Sequence, residues 1–265
     1  MTGSTEAAGF LPVVTSIPGV AISRTTASNS PPWGFWASLG WLLALTGLHT
    51  CAQVGGVLVG IFAKAVSAGL QGGSSSPDFN FGAGVLFPSQ IVALALVFPA
   101  TFWLAWLART GDTWGYLGYR QFGWKPLLLG ACGVGVICAV SSFLITENNS
   151  TMLDLFRDSD SKVALWITVV LLAPLTEEWV FRGFVFEGIS LARGGAVTAT
   201  VITSLLWASI HLQYSWREMS VIFVFGLVLG AVRHATGSVW PLILLHVFNN
   251  LLSCIGLEWD LRHPE

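Results

Sequence analysis

The sequence predicts an all-α fold, a polytopic transmembrane helical bundle of about seven spans, and three observations lead there. Of its 265 residues, 54% are hydrophobic and only 10% are charged, against about 25% charged in a soluble domain. The apolar residues gather in runs of roughly 20 or more, the length that crosses a hydrocarbon layer as a helix. Several tryptophans, among them Trp33, Trp36, Trp114, Trp124, Trp216, Trp240 and Trp259, stand near the ends of these runs, where an interfacial aromatic belt puts them. The expected location is the cell membrane, as a multi-pass protein.

Residues 1–32 are rich in Ser, Thr, Gly and Pro and end in Ser-Pro-Pro. No basic stretch leads into a compact apolar core there, so 1–33 reads as a flexible tail rather than a cleaved signal. Spans follow near 35–66, 84–108, 126–146, 163–190, 195–212, 219–233 and 239–257, so the transmembrane domain covers 34–257. An eighth arises if the first run breaks or if the apolar patch from Phe10 to Ile22 enters the bilayer. The first span exceeds the bilayer's need and should tilt or project. Its His49, Thr50 and Gln53 read as helix–helix hydrogen-bonding groups. The Gly-containing links Arg193-Gly194-Gly195 and Ala235-Thr236-Gly237 make the last spans a tight antiparallel bundle, with 163–257 as the catalytic core and 258–265 as a short C-terminal tail. Cys51, Cys132, Cys138 and Cys254 all lie in apolar runs without a C-x-x-C and read as packing residues.

Charge sets the topology and excludes one class of partner. Arg109, Arg120 and Lys125 precede the third span, whereas Glu147, Asp154, Asp158 and Asp160 follow it. The positive-inside rule therefore makes the Arg109–Lys125 segment cytoplasmic and the C-terminus external. The net charge is only −2 and no cluster of four basic residues occurs, so nucleic acid is not expected as a partner.

Within the fourth span, P-L-T-E-E-W-V-F-R carries Glu177, Glu178 and Arg182. Ionisable groups at that depth cost at least ~2.5 to 3.5 kcal/mol each and normally face a bundle interior. Glu178 and Arg182, four apart, share a helical face suited to an ion pair, whereas Glu177 points about 100° away. Pro174 removes a backbone donor and should loosen the helix just before them. Trp207 and His211 are four apart in the fifth span, and His246 and Asn250 are four apart in the seventh. A carboxylate beside a histidine can deprotonate water and return a proton to a leaving amine. A further His with an Asn offers donors for the oxyanion of a tetrahedral intermediate. No G-x-S-x-G occurs and no cysteine is paired with a histidine, so a covalent nucleophile is not favoured.

Glu177-Glu178-x-x-x-Arg182, an aromatic-x-x-x-His211 and His246-x-x-x-Asn250, in that order on successive apolar helices, resemble the CAAX prenyl endopeptidase and bacteriocin-processing (CPBP, Abi) family of intramembrane glutamic endopeptidases. The resemblance covers roughly residues 163–257, with Y-L-G-Y-R-Q-F-G-W before the third span similar to a linker of bacterial members. It implies that Glu177 activates water with help from His211, that His246 and Asn250 form the oxyanion hole, and that Glu178 and Arg182 support them. Trp207 stands where the family has Phe, which keeps an aromatic wall and narrows the cavity. The implied substrate is a protein or peptide at the lipid bilayer: a prenylated C-terminus, a leader or bacteriocin peptide, or a membrane-anchored sorting tail. No cofactor and no metal are expected. Three rival readings use the same residues: a zinc enzyme ligated by Glu177, Glu178, His211 and His246, a proton-coupled transporter, and a non-catalytic scaffold or immunity protein. The charge count places the site's opening on the outer side.

Overall fold

A computed structural model describes residues 33–70, 83–108, 111–145, 150–192 and 194–263. The tail, its Phe10–Ile22 patch and Arg24 lie outside the described residues, as do Arg109, Glu147 and Arg193 from the charge count. All regular elements among the described residues are helices. Long apolar ones are α1 (Phe35–Leu70), α2 (Ala83–Leu107), α4 (Trp124–Leu144), α6 (Lys162–Ser190), α8 (Trp216–Thr236) and α9 (Trp240–Arg262), each long enough to cross a membrane. Between them lie the short α3 (Thr113–Tyr116), α5 (Ser150–Asp158) and α7 (Gly195–Ser209). The protein is thus a multi-pass α-helical membrane protein.

Three boundaries differ from those expected. The fifth span, read as 195–212, is a helix only to Ser209, about 22 Å at ~1.5 Å per residue, and His211 lies in the turn that follows. That turn ends where Ser215 and Glu218 form a capping box: the Ser215 N–H donates to Glu218 Oε2 at 2.7 Å and the Glu218 N–H to Ser215 Oγ at 3.4 Å. Such reciprocal capping starts a new helix rather than prolonging the old one. The tail read as 258–265 is helical through Arg262, because Leu257 and Leu261 pack against the α5 and α6 cluster and Glu258 pairs with Arg262 at 3.6 Å. The acidic link after α4 contains α5, which turns Phe156 fully inward and leaves Asp154 and Arg157 exposed.

Polar ties hold each end of the bundle. At one end Asp160 accepts from the Gly84 N–H at 2.8 Å and from Lys64 Nζ at 3.2 Å. The amide bond, then the lysine, holds the Asp160 carboxyl below its usual range. Midway, α1 and α2 approach so closely that a Cβ on Gly56 would meet the Ser89 backbone at 2.4 Å. There Ser89 Oγ donates to Gln53 Oε1 at 2.6 Å and Gln53 donates to Gln90, the helix–helix bonding expected of Gln53. At the other end buried Arg233 of α8 donates through Nε to the Arg182 carbonyl at 2.9 Å and through Nη2 to Glu187 at 3.1 Å. The guanidinium lies under Gly118, whose φ of +78° and missing Cβ both suit glycine.

Because Arg233 is almost wholly buried, removing its partner strands a charge. Glu187→Ala is expected to cost roughly 3 kcal/mol, read as a lowered unfolding midpoint in detergent micelles; an unchanged midpoint would deny this cluster its anchoring role.

Candidate active site

Local backbone chemistry in α6 shapes the site. The helix alternates between α and π turns, with π segments at Ile167–Leu172 and Trp179–Val185 on either side of Ala173–Glu178. In the first π segment the Ala173 N–H bonds to the Thr168 carbonyl, five residues back. The next carbonyl, Val169, would be served by residue 174, a proline without an N–H. Asn250 of α9 supplies the missing donor, Nδ2 to Val169 O at 2.9 Å. Leu172 O likewise accepts from Thr176 Oγ1 at 2.8 Å, and Gln90 of α2 donates to Thr176 Oγ1 at 3.0 Å. The loosening expected at Pro174 is therefore present as wide turns whose freed carbonyls are met by side chains, as is common where helices carry function.

The two carboxylates part company as their spacing predicts. Glu178 is fully buried and its Oε1 accepts from Arg182 Nη1 at 3.1 Å and from His246 Nδ1 at 2.9 Å. Arg182, also fully buried, lies 4.5 Å over the Trp207 ring, a face that attracts cations. Gly226 of α8 makes room for it: a Cβ there would stand 3.1 Å from Arg182 Nη2. Glu177 has its side chain 25% exposed, and it opens onto a cavity of about 390 Å³ that is also lined by Trp207, His211, Tyr214, His246 and Asn250. The Trp207 Nε1–H donates to Glu177 Oε2 at 2.7 Å, and His246 Nε2 lies 3.9 Å from the same oxygen.

Hydrogen bonding fixes the histidines. His211 Nδ1 stands 2.7 Å from the Trp207 carbonyl, which can only accept, so Nδ1 carries the proton and Nε2 of the neutral ring keeps its lone pair. His246 donates Nδ1–H to Glu178 in the same way, leaving Nε2 on the Glu177 side. Tyr214 lines the cavity from the α7–α8 turn. Burial, then Glu218 and Glu177, push its phenol up to about 12, so it stays a neutral donor at physiological pH.

The structure therefore gathers Glu177, Trp207, His211, His246 and Asn250 around one cavity and sets Glu178 and Arg182 behind it. No direct hydrogen bond joins His211 to Glu177 among the described residues, and no three His, Cys, Asp or Glu side chains there are grouped to hold a metal. Sequence reading missed the indole bond to Glu177, the part of Gln90 and the Arg233 anchor. A glutamine in the apolar run Phe87-Pro88-Ser89-Gln90-Ile91-Val92 was a legible sign of an interior hydrogen bond; nothing in sequence told where the Trp207 N–H would point.

Residues 159–252 match the family model described as type II CAAX prenyl endopeptidase Rce1-like, and the resemblance read from the three motifs is borne out over that segment. An uncharacterized 24.3 kDa protein of Escherichia coli is 30% identical over 129 residues, 46% of this chain and 59% of that one. The chain thus spans less than two thirds of this curated relative. No solved structure matches the chain significantly.

Asn250→Leu removes the donor to Val169 O. The expected loss of stability is about 1 to 3 kcal/mol for an unmet buried carbonyl, measured by equilibrium unfolding in mixed micelles, and wild-type stability would contradict the pairing.

Proposed function

We propose that this membrane bundle, with its core of CAAX-protease type, hydrolyses a peptide bond of a protein or peptide held at the membrane. The observation that carries the reading is the Glu177 carboxylate, open to a cavity it shares with two histidines whose Nδ1 protons are committed elsewhere. Glu177 takes a proton from water as the oxygen attacks the carbonyl carbon, and His211 Nε2 is the neighbouring acceptor that shares this work. The carbonyl π electrons move onto oxygen. His246 keeps Nδ1–H on Glu178, and a proton on its Nε2 is what would let that nitrogen donate to the oxyanion. Asn250 spends one amide hydrogen on Val169 and keeps the second. The proton held by Glu177 passes to the leaving nitrogen as the C–N bond breaks. Glu178 and Arg182 do not touch the substrate; they hold His246.

Prenylated C-termini, leader or bacteriocin peptides and sorting tails are the substrate classes of this proposal. Ile145, Met152 and Tyr214 line the cavity towards the end where the C-terminus of α4 meets the N-terminus of α8, and we take its mouth to lie there. By the charge count that end is external, which favours leader or sorting segments over prenylated ones. Labelling Ser215→Cys in intact cells with an impermeant maleimide is expected to succeed; reactivity from the cytoplasmic side alone would reverse the orientation.

The activity itself is tested by comparing membrane proteomes from cells carrying wild-type protein and Glu177→Gln. At least one cleavage is expected to vanish in the variant, with wild-type activity surviving strong chelators. Identical cleavage patterns would end the hydrolase reading, and chelator loss rescued by zinc would replace its mechanism.

A further inference from the structure

The geometry points to Trp207 as the positioning residue that holds and aims the Glu177 carboxylate through its indole N–H, a role that rests on the hydrolytic reading of the same site. Glu177 lacks the direct bonds its neighbour has, because Arg182 Nη1 and His246 Nδ1 both go to Glu178, and His246 Nε2 stands 3.9 Å from Glu177 Oε2. Among the described residues the hydrogen bond made to the Glu177 side chain comes from the Trp207 indole, at 2.7 Å. An indole N–H can only donate, and a donor to a carboxylate favours its charged form. The bond takes one lone pair of Oε2, and Oε1 makes no direct hydrogen bond among the described residues.

The indole cannot turn away. It is 2% exposed, Arg182 sits over its face at 4.5 Å, and the rings of His211 and His246 meet it edge-on at 5.0 and 5.2 Å. Its own carbonyl holds His211 Nδ1, so one residue orients both the base and the imidazole beside it. A phenylalanine here would keep an aromatic face towards Arg182 and lose the donor, and its smaller ring would widen the cavity. The other ionisable groups facing Glu177 are Glu178 and Arg182 on its own helix, His49 of α1, Cys138 of α4, His211 and Tyr214 of the α7–α8 turn, Glu218 of α8, and His246 and Cys254 of α9. Trp207→Phe alters none of them.

The test needs no substrate. Hydrophobic carbodiimides modify a protonated carboxyl, so purified protein in micelles is treated with dicyclohexylcarbodiimide from pH 5 to 9 and labelling at Glu177 is counted by peptide mass spectrometry. In Trp207→Phe the labelling midpoint is expected to move up by about one pH unit, roughly tenfold more labelling at a pH above both midpoints; an unmoved midpoint in a folded variant overturns the proposal. Should the variant not fold, wild-type protein labelled with 15N-indole serves instead. One indole N–H resonance is expected to follow pH and to lose that response in Glu177→Gln, and thirteen pH-insensitive indoles would overturn the assignment. Loss of proteolysis as the function would leave the midpoint shift in place, so the two failures are distinguishable.

Discussion

One carboxylate organises this molecule. Glu178 is fully enclosed in a membrane-spanning helix, and its Oε1 is bonded both to Arg182 on the same helix and to His246 from another. Bringing a carboxylate and a guanidinium into such a place is costly unless they pair, and losing either partner would strand the other. The pairing therefore ties α6 to α9 and fixes which imidazole nitrogen of His246 carries a proton. It also frees Glu177: with the cation spent on its neighbour, this second carboxylate turns to the cavity supported by a neutral donor.

Much of the surrounding architecture can be understood as support for that arrangement. Arg233 captures the backbone carbonyl of Arg182, so the charged helix end is held from α8. Pro174 widens the helix ahead of the carboxylates, and Asn250 and Gln90, from helices on either side, bond within that loosened stretch. Gln90 matters for a further reason. It lies outside the segment 159–252 that matches the family model, so the N-terminal helices contribute to the geometry next to Glu177 and are more than a membrane anchor.

Most of the helices were legible in the sequence because bilayer thickness and the absence of water leave few alternatives to a long apolar helix. The Glu178–Arg182 pair was legible too, since four-residue spacing on a helix nearly dictates contact. Boundaries failed where short-range capping overruled hydropathy: Ser215 and Glu218 begin α8 early, and His211 belongs to a turn although its flanks are apolar. In the site, residue types were readable while hydrogen-bond partners were not. The His246–Glu178 and Trp207–Glu177 bonds join residues 68 and 30 positions apart, and spacing along a helix says nothing about contacts between helices.

The most direct measurement of the central pairing is a double-mutant cycle on unfolding free energy in mixed micelles, using Glu178→Met, His246→Leu and the double variant. Any cost of leaving Arg182 unpaired appears on both sides of the cycle and cancels. A coupling of about 1 to 3 kcal/mol between positions 178 and 246 is the expected result. Additive effects within about 0.5 kcal/mol would contradict the claim that this carboxylate holds the histidine in place.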